Sequence, residues 1–495
     1  MKIAIIGSGI SGLSAAAYSA RQGHEVHVFE KNGSPGGRAR QFTTPEGYTF
    51  DMGPSWYWMP DIIERFFNDF GHTASDFYRL VSLDPQFEMV FDESSISLPE
   101  GMDEMEILFE SIEPGAGTKF IRFMEDAAYK YKIGMGKFVE KPCHSWLEFA
   151  TPDIAMSALR MDLLTNYSSY VRKYFSNPRL IALMEFPVIF LGAAPKDIPA
   201  LYSLMNYGGY ALGTHYPIGG FYKLVDAMVK IALEQGVQFH FNSPVDKINT
   251  SGSRVSSLVL KGHELSFDAV IAACDYHHAE SLLQTGHRNY SPKYWESRTF
   301  APSCLIFYLG FTTTLPGLGH HTLFFDKDMD AHIDAIYKTP GWPAAPLFYV
   351  CCPSKTDQGV APPGHENVFL LMPLATGIED STTQRQKYLD IMLERLESRI
   401  GVPGLKEKMD FCQSYCVSDF VSDYNAFGGN AYGLANTLRQ TAVLKPSLRN
   451  KKLKNLFYAG QLTVPGPGVP PSILSGKIVS NEILKAKKTF HEKTV

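Results

Sequence analysis

The stretch that decides the fold is KIAIIGSGISGLSAAAYSARQGHEVHVFE, residues 2–30. It begins with a short apolar run typical of a strand buried on both faces. Gly7, Gly9 and Gly12 follow as G-x-G-x-x-G, then a helical stretch, then a second apolar strand that ends at Glu30. Strand, glycine turn, helix and terminal acid in this order predict a β-α-β unit that binds a dinucleotide.

Each residue type in this unit suits that role. Gly7 permits the tight turn, Gly9 lets the backbone approach a pyrophosphate, and Gly12 lets the helix and strand pack closely. Ser11 lies in the first helical turn, whose free N–H groups and positive dipole end attract phosphate. Glu30 can accept hydrogen bonds from an adenosine ribose, and its charge disfavours a 2′-phosphate.

The residues after the acidic strand favour FAD over NAD. Lys31 begins a turn that contains Gly36, Gly37 and Arg38 as a Gly-Gly-Arg element. Such an element offers a second backbone approach and a cation to the same pyrophosphate, and simple NAD dehydrogenases do not need it. The alternative is an ordinary turn with a solvated arginine.

These N-terminal residues together resemble the amine-oxidase-like FAD flavoproteins. GYTFDMGPSWYWMP (47–60) is similar to the Phe-Asp-x-Gly-Pro-Ser/Thr segment of bacterial-type phytoene desaturases. Three further segments resemble that carotenoid desaturase family: HYPIGGFYKLVDAM (215–228), GLGHHTLFF (317–325) and NLFYAGQLTVPGPGVPPSILSG (455–476). The resemblance runs from end to end, and its proline- and glycine-rich ending is the most specific part.

The resemblance implies an α/β fold class. We expect a Rossmann-like FAD-binding domain of the glutathione-reductase and amine-oxidase-like type, together with a discontinuous mixed α+β substrate domain. The predicted FAD-binding domain comprises residues 1–85, 217–289 and 441–495. The predicted substrate domain comprises residues 86–216, which would also meet a membrane, and 290–440.

The resemblance also assigns cofactor contacts beyond the first motif. It places Gly53, Pro54 and Ser55 beside the cofactor, and the backbone of Val245 beside the adenine. In the C-terminal loop it assigns the residues Gly460, Gln461, Gly468, Val469 and Pro470.

The uncharged C-terminal loop has features that suit a flat flavin ring. Glycines allow the backbone to approach the ring where a side chain would clash. Prolines fix φ, and Pro471 suits the first turn of a helix whose N-terminus would face the flavin. Gln461 departs from the family pattern, because many related flavoproteins carry an acid there to bind the ribityl chain.

The activity implied by the resemblance is FAD-dependent desaturation of a long hydrophobic polyene. The predicted substrate is phytoene, converted towards lycopene, with hydride transferred from an allylic methylene to the flavin. Oxygen or a quinone would be the electron acceptor. No usual catalytic constellation is present in the sequence, which suits a cofactor that carries the chemistry. Asp51 is the candidate catalytic residue: it acts either as a general base or only as a hydrogen-bond acceptor for the turn at Gly53 and Pro54.

Three alternatives stay open at this point. The first is a later-pathway carotenoid desaturase that acts on a hydroxylated or shorter carotenoid. The second is a flavin amine oxidase. The third belongs to a different class, a flavin-free lipid-binding protein like the GDP-dissociation inhibitors, although the intact Gly-Gly-Arg element argues against it.

The composition excludes a nucleic-acid partner and indicates the cellular compartment. A net charge of −5 gives no basic field for nucleic acid. Seven scattered cysteines without a C-x-x-C motif indicate reduced thiols in a cytoplasm. The apolar N-terminal run is too short for a signal peptide, and no apolar run is long enough to cross a membrane. We therefore expect a cytoplasmic protein that associates peripherally with the cytoplasmic membrane.

Two short segments each allow two structural interpretations. Residues 181–194, IALMEFPVIFLGAA, read either as a buried helix, which is favoured, or as a segment that dips into a membrane surface. His320 and His321 invite a metal interpretation, but adjacent residues on a strand point to opposite faces, so we expect no metal there.

Overall fold

The structure is a computed structural model that describes residues 1–150, 161–189 and 192–491. Its strands, in chain order, are β1 Lys2–Ile6, β2 Glu25–Phe29, β3 Gln41–Thr43, β4 Thr49–Asp51, β5 Leu80–Ser82, β6 Phe87–Val90, β7 Ser95–Leu98, β8 His215–Pro217, β9 Gln238–His240, β10 Lys247–Ser251, β11 Arg254–Leu260, β12 His263–Leu265, β13 Ala269–Ala272, β14 Ser303–Phe311, β15 His321–Phe324, β16 Phe348–Cys351, β17 Glu366–Leu374, β18 Met409–Tyr415 and β19 Leu456–Tyr458.

The α-helices of five or more residues lie between these strands or after the last of them. They are α1 Ile10–Arg21, α2 Pro60–Asp69, α3 Met102–Ile112, α4 Ala116–Ile133, α5 Tyr167–Val171, α6 Pro178–Ile189, α7 Tyr222–Glu234, α8 Tyr276–Ser281, α9 Pro292–Glu296, α10 Met329–Tyr337, α11 Thr382–Ile400, α12 Val417–Tyr424 and α13 Val469–His491.

A five-stranded parallel sheet forms the nucleotide-binding half of the molecule. Its strand order is β19-β13-β1-β2-β9, and every neighbouring pair is parallel. The strands come from three distant stretches of the chain, as the FAD-domain segments predict. This confirms the Rossmann-like α/β fold class, while the boundaries of the five domain segments stay predictions.

A seven-stranded mixed sheet forms the second half. Its order is β18-β14-β17-β16-β15-β6-β7, and only the β15–β6 pair is parallel. β14 is buried along its whole length, which explains its continuous apolar sequence SCLIFYLGF. The helices α3 to α6 cover this region and bury an aromatic core with the sheet.

The first and last long helices pack on each other at unusually close range. Ser14 Oγ donates a hydrogen bond of 2.6 Å to the carbonyl oxygen of Ile473. A Cβ on Gly476 would lie 2.6 Å from the backbone nitrogen of Ala15 and 2.6 Å from the carbonyl oxygen of Ser11. Only glycine therefore allows α13 to lie this close to α1.

The apolar segment at residues 181–194 is a buried helix as far as the structure describes it. α6 ends at Ile189, and residues 190–191 lie outside the described part of the chain. Leu183, Met184 and Val188 are fully buried. Among the described residues, no helix is both long enough and apolar enough to cross a bilayer.

Candidate functional site

One large cavity lies at the carboxyl ends of the parallel strands. It has a volume of about 290 Å³. It runs from the first glycine turn past the end of β2 to the loop before α13, and the mixed sheet closes its far side through β14 and β17. This is where ligands bind in open α/β sheets, at the point where the strand order reverses.

The glycine turn after β1 has no room for side chains. Gly7 has φ +100°, which favours glycine, and its N–H donates to the carbonyl oxygen of Phe29 at 2.8 Å. A Cβ on Gly12 would lie 2.1 Å from the Gly7 carbonyl oxygen. A Cβ on Gly37 would lie 3.1 Å from Gly9 Cα. The two glycine elements therefore meet face to face and leave a bare backbone surface beside the cavity.

Glu30 holds this turn from the end of β2. One carboxylate oxygen accepts hydrogen bonds from Ser8 N at 2.8 Å and Ser8 Oγ at 2.7 Å. The other accepts from Asn32 N at 2.8 Å. Glu30 is buried and lines the cavity, so a carboxylate faces the ligand at the position the motif predicts.

Arg38 places a cation in the wall of the cavity. Its Nη2 donates to the carbonyl oxygen of Asn430 at 2.9 Å, and its guanidinium lies 4.9 Å from the ring centre of Tyr424. Its Nε is buried and has no hydrogen-bond partner in the described part of the chain. Burial lowers the pKa of Arg38. An anionic ligand would offset the cost of holding this buried charge.

The C-terminal loop forms the opposite wall. Gly460 has φ +115° and its N–H donates to Ser475 Oγ at 3.0 Å, which ties the loop to α13. If the Gln461 amide is turned by 180°, its oxygen accepts hydrogen bonds from Arg38 Nη2 and Gly433 N, each at 3.2 Å. Gln461 thus contacts Arg38, and an acid at this position would form an ion pair with the same arginine.

The structure brings most of the predicted cofactor residues to this cavity. The lining includes Gly7, Gly9, Ser11, Glu30, Lys31, Gly36, Gly37, Arg38, Gly53, Pro54, Val245, Gly460, Gln461, Gly468 and Val469. Gly12, Ser55 and Pro470 do not line it. Gly12 packs against the turn, and Ser55 Oγ instead lies 2.9 Å from Tyr349 Oη.

Sequence reasoning missed several wall residues that come from the substrate half. They are Cys304, Ile306, Leu371, Phe420, Tyr424 and Tyr432. None of them stands in a motif. The alternation of side-chain direction along β14 and β17 indicates which residues share a face of the sheet, but not that this face borders the cavity.

Asp51, the candidate catalytic residue, lies outside the main cavity. Its carboxylate accepts hydrogen bonds from Phe221 N at 2.6 Å, Tyr222 N at 3.1 Å and Gln41 Nε2 at 3.0 Å. Burial raises the pKa of Asp51 to about 6 against these hydrogen bonds. The contacts favour a structural role at the N-terminus of α7, and the partner is this helix and not the turn at Gly53. Its role as a general base stays a prediction without a contact to the cavity.

The expectation that His320 and His321 point apart is wrong. β15 begins at His321, so His320 precedes the strand and does not follow its alternation. The two ring centres lie only 4.5 Å apart, and both side chains are buried.

The cavity fits a flavin dinucleotide on the residues' own geometry. Its glycine surfaces exclude side chains where a phosphate would approach. Arg38, whose buried Nε has no hydrogen-bond partner among the described residues, lines the same cavity. The N-termini of α1 and α13 border the same cavity, since Ile10, Ser11, Val469 and Ser472 line it. Two helix N-termini and one guanidinium suit an anionic ligand.

Comparisons with known proteins identify the class first. The family model described as flavin containing amine oxidoreductase matches residues 10–484. A solved oxidoreductase from Methanosarcina mazei superposes with a TM-score of 0.62 at 16% identity, covering 97% of this chain and 100% of that one. At this identity the likeness shows the fold alone. Fold, site and family model define a flavin-dependent oxidoreductase.

Two curated relatives then identify the family. A carotenoid 3,4-desaturase of Haloarcula japonica is 38% identical over 486 residues, which is 98% of either chain. A zeta-carotene-forming phytoene desaturase of Myxococcus xanthus is 29% identical, covering 98% of this chain and 94% of the relative. The chain belongs to the carotenoid desaturase family. This confirms the resemblance and leaves no support for a flavin-free binding protein.

Proposed function

We propose that the protein is an FAD-dependent desaturase of a later-pathway carotenoid. The observation that carries this proposal is the difference in similarity between its relatives. Identity is 38% to the carotenoid 3,4-desaturase and 29% to the phytoene desaturase, each over 98% of this chain. A partly desaturated carotenoid is therefore the first candidate substrate. Phytoene, which the motifs predict, becomes the second.

FAD is the cofactor that best fits the arrangement of residues along the cavity. Val245 and Glu30 line the end where an adenosine would lie, and Gly53 and Gly468 line the end where a flavin ring would lie. A mononucleotide would leave the Glu30 end unfilled. The backbone surface at Gly9 and Gly37 lies between the two ends and would take the pyrophosphate.

When bound, the flavin supplies the hydride acceptor for desaturation. The chain's own contribution is to bind, orient and exclude water. The N-terminus of α13 borders the cavity and favours negative charge there by about 0.3–1 kcal/mol. Ile306 and Leu371 give the cavity an apolar wall from the mixed sheet. A hydrocarbon gains about 0.8 kcal/mol for each buried methylene, so such a wall binds a polyene without polar handles.

The substrate proposal is tested by expression in two carotenoid-producing backgrounds. One host accumulates phytoene, and the other accumulates lycopene. We expect phytoene to remain unchanged, while the lycopene host forms more strongly conjugated, red-shifted pigments. Glu30→Arg serves as the cofactor-deficient control and should leave both hosts unchanged. Conversion of phytoene with no change in the lycopene host would overturn the proposal in favour of a phytoene desaturase.

The terminal electron acceptor, oxygen or a quinone, is distinguished by reoxidation of the reduced holoenzyme. Mixing it anaerobically with a soluble quinone and, separately, with oxygenated buffer gives the two rates. We expect both compounds to accept electrons, with the quinone faster because its ring buries more apolar surface against the wall than O₂ does. A quinone rate no higher than the oxygen rate would contradict this.

We further propose that the exposed side chains of Trp146, Leu147 and Leu164 meet the membrane surface. Trp146, Leu147 and Leu164 are 61%, 80% and 94% exposed, which is unusual for large apolar side chains. A tryptophan beside leucines is typical of residues at a lipid–water interface. The helix at 181–189 is buried and cannot serve this purpose.

Flotation with anionic lipid vesicles tests this surface. Replacing Trp146, Leu147 and Leu164 together with serine should reduce the vesicle-bound fraction severalfold. The matched control is Ile107→Ser, which removes an equally exposed apolar side chain, 70% exposed, from α3. Equal binding by both variants would contradict the proposed surface.

A further inference from the structure

A compact cluster of buried His and Cys side chains lies away from the cofactor cavity. His321 is the first residue of β15 and pairs directly with Cys351, the last residue of β16. His320 precedes the strand and turns its ring towards the pair. The three potential ligand atoms lie within 4.8 Å of one another, and all three residues are buried.

In each imidazole ring, one nitrogen has a hydrogen-bond partner and the other has none among the described residues. His320 Nδ1 lies 2.7 Å from Thr356 Oγ1, and His321 Nδ1 lies 2.6 Å from Tyr349 Oη. The Nε2 atom of each ring is buried and has no hydrogen-bond partner in the described part of the chain. Histidines that ligate metals are held in this way, with the second ring nitrogen fixed by a neighbouring group.

We infer that His320, His321 and Cys351 form a binding site for a thiophilic d¹⁰ metal ion, with Zn²⁺ as the reference. One thiolate and two imidazoles are the ligands that such ions prefer, whereas Mg²⁺ and Ca²⁺ require oxygen ligands. Bonds of about 2.0–2.3 Å place tetrahedral ligands about 3.5 Å apart, so the three side chains must close by about 1 Å. Small side-chain rotations suffice for that movement. Binding releases the Cys351 thiol proton to solvent as the thiolate forms.

The surroundings of the cluster are compatible with a bound cation. Asp357 acts electrostatically on His320, and Asp51 acts on Cys351. Together with the thiolate, these carboxylates offset the charge of a divalent ion. Apolar and aromatic groups close the rest of the site: the Trp56 ring stacks on His321 with centres 4.1 Å apart, and Tyr216 lies edge-on to His320 at 4.8 Å.

The site would act as a structural clamp. None of its three ligands lines the cofactor cavity. Tyr349, which contacts His321, also lies 2.9 Å from Ser55 Oγ. A metal ion here would therefore fix β15, β16 and the segment after Pro54 as one unit, beside the cavity but without taking part in its chemistry.

The test is equilibrium dialysis of the full-length holoprotein against buffered Zn²⁺, and separately against Cu⁺, followed by elemental analysis. We expect one ion per chain in the wild type and at least a tenfold loss of affinity in Cys351→Ser. The matched control is Cys352→Ser, which removes the neighbouring buried thiol, whose Sγ contacts Ser354 and Glu366 instead. This control should bind the metal as the wild type does.

Spectroscopy with Co²⁺ as the probe keeps the proposal testable if a variant fails to fold. Wild-type protein loaded with Co²⁺ should show tetrahedral ligand-field bands at wavelengths beyond the flavin absorption. Wild-type protein that retains neither Zn²⁺ nor Cu⁺ after dialysis would overturn the proposal. Binding that Cys351→Ser and Cys352→Ser retain equally would overturn it as well.

Discussion

Replacing Gly476 with alanine tests whether the close contact of α1 with α13 holds the cofactor cavity together. In open helical backbone, glycine to alanine stabilises by about 1 kcal/mol. At Gly476 the added Cβ would lie 2.6 Å from Ala15 N and 2.6 Å from Ser11 O. Because both atoms belong to the backbone of α1, relief requires one helix to move. Overpacking of this kind costs about 3 kcal/mol, at the upper end of the usual range.

The expected net effect is a destabilisation of about 2 kcal/mol, the difference between these two contributions. Urea unfolding followed by circular dichroism measures it. Gly136→Ala is the matched control, since it is also in helical backbone and a Cβ there would have no atom within 4 Å. The control should be unchanged or slightly more stable.

Flavin retention gives a second, independent readout for Gly476→Ala. Both helix N-termini border the cavity, so a displaced helix should increase the dissociation constant for FAD severalfold. A Gly476→Ala protein that is as stable as Gly136→Ala and retains flavin normally would refute the reasoning. It would mean that the two helices separate without cost.

Three further predictions concern buried charged groups. Glu482→Gln should destabilise by about 2 kcal/mol at neutral pH, because His144 and Arg449 hold the pKa of Glu482 at about 2. The difference in stability from the wild type should fade as pH falls from about 4.5 to 2, because wild-type Glu482 itself becomes protonated there. Lys445→Met should stabilise by at least about 1 kcal/mol at neutral pH, because burial lowers the pKa of the Lys445 amine to about 7 and this amine has no hydrogen-bond partner among the described residues. The wild type, but not the variant, should gain stability as pH rises from about 7 to 10.5. Glu30→Arg should abolish flavin retention in the purified protein, because it breaks the contacts to Ser8 and adds bulk at the cavity.

The matched controls are the same three substitutions made at exposed residues. They are Glu407→Gln, Lys247→Met and Glu46→Arg. Urea unfolding across the stated pH ranges checks the first two predictions, and absorbance of bound flavin checks the third. A flat difference between Glu482→Gln and wild type across pH 2–7 would contradict the ion-pair argument. So would a Lys445→Met protein whose stability rises with pH as in the wild type, or a yellow Glu30→Arg protein.

Local patterns predicted the nucleotide-binding half well. The turn, helix and strand of residues 2–30, the strand before the C-terminal loop and the helix after it all form as expected. These predictions rest on glycine spacing, apolar runs and a proline in the first helical turn. Such signals depend only on the conformation of the nearby backbone, so they can be interpreted without knowledge of the rest of the fold.

Contacts between distant segments could not be predicted in this way. The partner of Arg38 is a backbone carbonyl at Asn430, nearly four hundred residues away, and no residue pattern encodes that meeting. Asp51 was linked to the turn that follows it in sequence, whereas its partners lie at the start of α7. The pairing of His320 with His321 depends on where β15 begins, and strand ends are poorly determined by sequence.

The topology of the parallel sheet has a consequence for biosynthesis. β1 and α1 are synthesised long before α13, which packs on α1, and long before β19, which pairs with β13 at the edge of the same sheet. The nascent chain must therefore keep an exposed, half-covered sheet until β19 and α13 have emerged. Chaperones are expected to engage the N-terminal unit during this interval, and a premature stop within α13 would yield a chain with nearly every motif and no flavin.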